Sequence, residues 1–369
     1  MKKIKISILF YVLFSAWNVS ATDWPNFRGG QQLPGIIKGK IPTKVELKWA
    51  FKTGGEIKSS PVMQGNSIIM GSTDGFVYCL DLQGNLLWKF ETDNAIEAPA
   101  LILNNTVYIG NLSGMLYALQ LNTGKLLWKY ETGNQIMGAP NWWSDDKKTY
   151  LVLGSYDYFL HGIDASDGKG LWKYESQNYL NATVAVENNF AVFGGCDGLL
   201  HVVDILSGKA VSTVEVATYV AGSAVLEKEK AFVGDYDGRL SCVDYKKKTV
   251  LWSFQSAERQ LPFIGSPSIQ GEKLIAGSRD RFIYCLNKNS GELIWKKDSG
   301  GNVDASVLAD KNNVLVANMR GDLMLLNLEN GREIWNFELG SPIIGGPGVS
   351  NDKIIVGAQD GNIYCLGAP

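Results

Sequence analysis

Chemically versatile residues are scarce in this sequence. Two histidines, His161 and His201, serve 369 residues, and no two of the five cysteines are adjacent. No His, Cys and carboxylate residues cluster with the spacing of a metal site, so none is expected. The Gly-Lys pairs, such as Gly168-Lys169, lack the glycine spacing and the Ser/Thr of a phosphate-binding loop. Basic charge is not in excess. Setting aside Lys2, Lys3 and Lys5 leaves 32 basic and 37 acidic residues. That balance favours solubility and excludes the basic footprint of a general nucleic-acid binder. Helical periodicity is missing from residue 45 onward.

The first residues read as a processing segment. Lys2, Lys3 and Lys5 precede an apolar run at 6–17, and Val19-Ser20-Ala21 suits cleavage. The run is short for a membrane span. Residues 1–21 are therefore expected to be a signal peptide, with a periplasmic or secreted mature chain starting near Thr22. No lipid-accepting cysteine follows. Residues 22–44 read as an irregular arm, with Trp24 and Phe27 able to pack on the body.

From residue 45 to 369 one unit of about forty residues recurs, clearest at 65–91 as GNSIIMGSTDGFVYCLDLQGNLLWKFE. Two alternating apolar runs meet at an Asp-Gly turn, and a third run ends in Trp. The endings fall at Trp49, Trp88, Trp128, Trp172, Ser212, Trp252, Trp295 and Trp335, separated by 39, 40, 44, 40, 40, 43 and 40 residues. Ser212 replaces the aromatic ring in one unit. Each unit has room for four strands, so the chain is expected to be all-β, an eight-bladed β-propeller of four-stranded antiparallel blades. After Trp335 only three strands remain. The missing fourth is Val45–Phe51, so an N-terminal strand should pair with the C-terminal blade and remove two open edges.

Most polar residues share repeat positions and are expected to be architectural. His161 and His201 align with the third-strand tyrosines Tyr78, Tyr117, Tyr284 and Tyr364. Asp74, Asp197, Asp237, Asp280 and Asp360 share the turn position and should bond their own turn backbone. Trp49, Trp88, Trp128, Trp172, Trp252, Trp295 and Trp335 should pack between blades. Cys79, Cys242, Cys285 and Cys365 share one strand position and read as small free packing residues; disulfides are the alternative in an exported protein. No catalytic or metal-binding residue is assigned. Two insertions break the period, at 142–148 and 256–262. They supply the candidate interaction residues Trp142, Trp143, Asp145, Asp146, Lys147, Lys148, Glu258, Arg259 and Gln260.

Segments such as YALQLNTGKLLWKYETG at 117–133 and YCLNKNSGELIWKK at 284–297 resemble the repeats of the pyrroloquinoline-quinone-type propellers. The resemblance spans about 45–369, and DWPNFRGG at 23–30 looks like the start of exported single-domain members. The bare propeller is most similar to the outer-membrane assembly factors of the BamB type. That resemblance implies a noncatalytic scaffold with a protein or cell-envelope partner; ring closure leaves no edge to pair between chains, so a monomer is expected, and no cofactor is predicted. The alternative it implies is a quinone-dependent oxidoreductase using pyrroloquinoline quinone and calcium. Trp142 and Trp143 suggest a third reading, a polysaccharide-binding propeller.

Overall fold

A computed structural model describes residues 23–216, 218–220 and 222–369. The expected signal segment 1–21 lies outside the described residues. Eight four-stranded antiparallel sheets follow one another in chain order, and in seven of them the strands lie in sequence order. Blades one to seven occupy 62–91, 101–131, 141–175, 185–215, 225–255, 268–298 and 308–338. Blade eight combines Gly348–Ser350, Lys353–Gly357 and Asn362–Gly367 with the N-terminal strand Glu46–Lys52. Trp49 stands opposite Cys365 and Ala50 opposite Tyr364, so both ends of the chain complete one blade.

The strands of a blade run from the central channel outwards. Second and third strands are nearly all buried, as in Ser67–Gly71 and Phe76–Asp81, while fourth strands alternate exposed and half-buried, as in Leu86–Glu91. Every third-to-fourth strand pair carries a register shift before the tryptophan position or its equivalent. Such bulges twist an outer edge away from pairing with another chain.

The fourth-strand tryptophans tie neighbouring blades together. The indole Nε1 of Trp88 donates to the Leu121 carbonyl of the next blade at 2.7 Å, and Trp172 donates to Ile205 at 2.8 Å. Trp49, Trp128, Trp252 and Trp295 repeat the bond, and Trp335 gives its to Pro42 of the arm. All five cysteines are free thiols. Cys79, Cys242, Cys285 and Cys365 are buried in mid-strand. Burial pushes the Cys79 and Cys285 thiols up to about 12. Among the described residues no helix is long and apolar enough to cross a membrane.

Candidate functional site

Strand direction gives the ring two unlike faces. One carries the turns between first and second strands, and there the N-terminal arm closes the channel. The arm visits the blades in chain order. The carbonyls of Trp24, Pro25, Gln31, Gln32, Pro34 and Gly35 accept the backbone N–H groups of Met63, Ile102, Val186, Leu226, Ile269 and Ala309. These donors line the inner edge of six blades, where no further strand could satisfy them. Arg28, fully buried in the left-handed region at φ 63, donates to the carbonyls of Leu33 and Val307 at 3.0 and 3.1 Å and also to that of Pro267. Burial without a carboxylate pulls its pKa down to about 9.

The opposite face is open. It carries the turns between second and third strands and the connections between blades. A shallow cup of about 130 Å³ marks the channel mouth, with Phe27 of the arm in its lining. Hydroxyls link successive blades near it: the N–H of Ser223 donates to Ser266 Oγ, and that of Ser266 to Ser306 Oγ. Asp304 lines the cup and accepts two forked bonds from Arg279, at 2.9 and 2.7 Å.

One position on this face recurs in every blade, with seven kinds of side chain over the eight blades. Thr73, Leu112, Tyr156, Cys196, Tyr236, Arg279, Met319 and Gln359 each begin the turn after a second strand. In all eight the backbone N–H is fixed to a carbonyl of the preceding connection, as Tyr156 to Gln135 and Tyr236 to Tyr219. The mount is uniform while the side chains vary. Through blades three to five these turns and connections gather tyrosines. Tyr179 packs on Tyr156 and Tyr158 at centroid distances of 4.8 and 5.0 Å, and Tyr219 packs edge-on to Tyr236 at 6.2 Å. Tyr158, Tyr179, Tyr219 and Tyr236 are each at least 39% exposed. An exposed aromatic group with a neighbouring arginine has the composition of a protein-binding surface. The sequence reading passed over this group. The signal was available: tyrosine stands at turn positions where the sister blades carry Thr73, Met319 or Gln359.

The two candidate insertions lie on opposite faces. Trp142 and Trp143 belong to the first strand of blade three, Asn141–Ser144, and not to a loop. Both are half-buried between blades. The Trp142 carbonyl accepts from Gln31 of the arm. Asp145, Asp146, Lys147 and Lys148 form the following turn on the closed face, beside a cleft of about 490 Å³ that Trp128 also lines. Lys148 pairs with Asp164 at 3.0 Å. Glu258, Arg259 and Gln260 sit on the open face next to the exposed Leu261, and Glu258 pairs with Lys296 at 2.5 Å.

The histidines occupy the tyrosine position of the repeat. His161 Nε2 lies 3.0 Å from Asp157 Oδ2 and its Nδ1 2.9 Å from the Tyr130 hydroxyl. His201 repeats this with Asp197 and Tyr174 at 2.8 and 3.0 Å. In blades one, six and eight the hydroxyls of Tyr78, Tyr284 and Tyr364 bond the same turn aspartate. Among the described residues no three His, Cys, Asp or Glu side chains are grouped to hold a metal ion. The cup encloses about 130 Å³ and its carboxylate Asp304 is engaged by Arg279.

The sequence profile of a family described as outer membrane protein assembly factor BamB matches residues 43–152, 157–282 and 279–368. The assembly factor BamB of Shewanella oneidensis is 23% identical over 111 residues, which span 27% of this chain and only 28% of that protein. The crystal structure of BamB from Moraxella catarrhalis superposes with a TM-score of 0.74 at 18% identity, covering 88% of this chain and all of that one. A europium-containing methanol dehydrogenase superposes at 0.79 with 13% identity, covering 94% and 98%. These structural likenesses show a shared fold.

Proposed function

The chain belongs to the BamB outer membrane protein assembly factor family, and from that premise we propose that it is an exported, noncatalytic scaffold which docks a protein partner in the cell envelope. The observation that carries the reading is the open face. Eight uniformly mounted turns present seven kinds of side chain, and blades three to five add exposed tyrosines. A rigid ring with variable side chains supplies specificity with little ordering cost on binding. Arg279, Glu258 and Arg259 place charge beside the aromatic group. The closed face, occupied by the arm, offers less free backbone.

The test is site-directed photo-crosslinking in cells, with the reactive group placed at Tyr179, Tyr236 or, on the closed face, Asp146. Crosslinks from the two open-face positions to an outer-membrane assembly protein are the expected result. Capture from Asp146 alone would move the docking surface to the other face. An absence of protein crosslinks from all three would overturn the scaffold reading.

Quinone-dependent oxidation is the alternative, because a methanol dehydrogenase shares the fold. Purified protein mixed with pyrroloquinoline quinone and calcium should neither bind quinone nor reduce a dye with alcohol substrates; turnover would establish the alternative. A polysaccharide reading draws on the cleft of about 340 Å³ that Trp142 lines with Asn26, Gln31 and Gln64. A glycan screen of the protein and its Trp142→Ala variant tests it.

A further inference from the structure

The repeat is broken at one place in a way that leaves a hollow. In six blade junctions a fourth-strand tryptophan lies flat against a glycine in the next blade's turn. A Cβ on Gly84, Gly124, Gly168, Gly208, Gly291 or Gly331 would come within 2.5–2.7 Å of the ring of Trp49, Trp88, Trp128, Trp172, Trp252 or Trp295. Between blades four and five both partners are lost together. Ser212 stands at the tryptophan position, and its hydroxyl reaches the Tyr245 carbonyl at 3.4 Å, the acceptor that an indole N–H would use in a sister junction. The turn glycine is replaced by Lys248, which keeps the left-handed backbone at φ 60.

The missing ring leaves an open apolar hollow of about 190 Å³, with Phe190, Val202, Val211 and Tyr245 in its lining. A cavity of about 150 Å³ lined by apolar side chains takes up benzene, so this one has room for an indole. Tyr245 is held in place through its hydroxyl, which donates to Glu187 at 2.5 Å. Lys246, Glu229 and Lys248 also border the hollow. Lys246 is neutralised by Glu229 at 2.6 Å, while Lys248 has no ion-pair partner among the described residues. The three charged side chains in the lining, Lys246, Lys248 and Glu229, sum to one positive charge, while the Glu187 carboxylate behind Tyr245 is taken up by that hydroxyl and by the N–H groups of Lys228 and Glu229.

We infer that this junction is a docking slot for an aromatic side chain, best a tryptophan, carried on an acidic segment of a partner protein. The six intact junctions show which ring this architecture accepts and which carbonyl its N–H bonds. The Cβ of Lys248 keeps an incoming ring farther out than a resident tryptophan. The lysine ammonium then faces the carboxylates flanking that ring. The slot lies on the outer circumference, on the arm side of the ring, so it is separate from the open-face tyrosines and does not depend on their role.

Titration of the mature protein with indole and with two short tryptophan peptides, one flanked by Asp and Glu and one by Lys, tests the inference by NMR. The acidic peptide should bind saturably, with ring-to-methyl contacts to Val202 and Val211, and at least fivefold more tightly than the basic one. Ser212→Trp combined with Lys248→Gly rebuilds the sister pair. It should raise the melting temperature and weaken peptide binding at least tenfold. Ser212→Leu, a smaller filling, should weaken it too. Lys248→Glu should lose the preference for the acidic peptide yet retain indole. No saturable binding of indole or peptide, binding unchanged in the folded filled variants, or a preference for the basic peptide would each overturn the slot.

Discussion

The ring of Trp88 lies so close over Gly124 that a Cβ there would stand 2.6 Å from its Cε3, and Gly124 itself sits at φ +68. Gly124→Ala therefore meets both backbone strain and a steric clash, and should cost about 2–4 kcal/mol. Trp88→Ser removes the obstacle along with the packing, at about 3–5 kcal/mol. The double variant should be well short of the sum, because the new methyl no longer meets a ring. Urea unfolding of the four proteins measures the coupling. Additivity within about 0.5 kcal/mol would show that the glycine is kept for its backbone alone.

Asp157 gives the fold an acid limit. Burial works to raise its carboxyl, and the bonds from His161 and from the N–H groups of Gly133 and Phe159 outweigh it, holding the group down to about 2. A carboxylate lowered in the folded state stabilises above its unfolded value near 4, and that contribution is lost as pH falls towards 2. The carboxyl is partly solvated, so the effect is small, on the order of 1 kcal/mol after screening. Melting temperatures should fall more steeply between about pH 4 and 2 in the parent than in Asp157→Asn. Parallel slopes would assign the acid sensitivity to other groups.

The ring was legible because its repeat is covalent: eight endings at near-constant spacing, three strands after Trp335 and one before the first full unit. The tryptophan junctions and the histidines in tyrosine places follow from register, as do the turn bonds that Asp74, Asp197, Asp280 and Asp360 accept from the N–H two residues on; Asp237 departs, because in its blade Asp235 takes the N–H of Arg239. The arm was not legible, since 23–44 has no period and its bonds go to residues up to hundreds of positions away, as Arg28 to Val307. Facing was missed for a related reason. Asp145 and Glu258 look alike as insertions, and only strand direction sends them to opposite ends of the blades. Tyr156 and Tyr236 were hidden by an Asp-bearing turn that drew attention to its shared residue and away from its variable one.

Thiol accessibility separates Cys196 from the other four. Cys79, Cys242, Cys285 and Cys365 are buried and their pKa values are raised by burial, to about 11 or 12. Cys196 is half-buried in a turn of the open face; burial and the neighbouring Asp197 raise its thiol as well, so exposure rather than acidity sets it apart. At pH 8 iodoacetamide should modify about one thiol per folded molecule, at Cys196, and all five after unfolding, as read by mass spectrometry. Fast labelling of Cys79 or Cys285 in the native protein would mean that the blades separate readily. A partner seated on the open face should slow labelling of Cys196.

Arg28 makes the closed face a test of how the channel is held shut. Its guanidinium is wholly buried and bonded to the carbonyls of Leu33, Val307 and Pro267, so it ties the arm to blades six and seven at once. Arg28→Met keeps most of the apolar stem but leaves up to three carbonyls without donors, each costing about 1–3 kcal/mol if no water reaches it. Relief from burying an unpaired charge offsets part of that. Arg28→Lys keeps the charge but has one point donor in place of a planar fork, and should be the worse of the two. Melting temperatures rank them. Amide exchange at Ile102, Val186, Leu226 and Ile269, whose N–H groups bond the arm, reports where the loss falls. Faster exchange at these inner-edge amides, with outer strands unchanged, is the outcome expected if Arg28 locks the arm. Uniform acceleration through all blades would instead make it a residue of the global core.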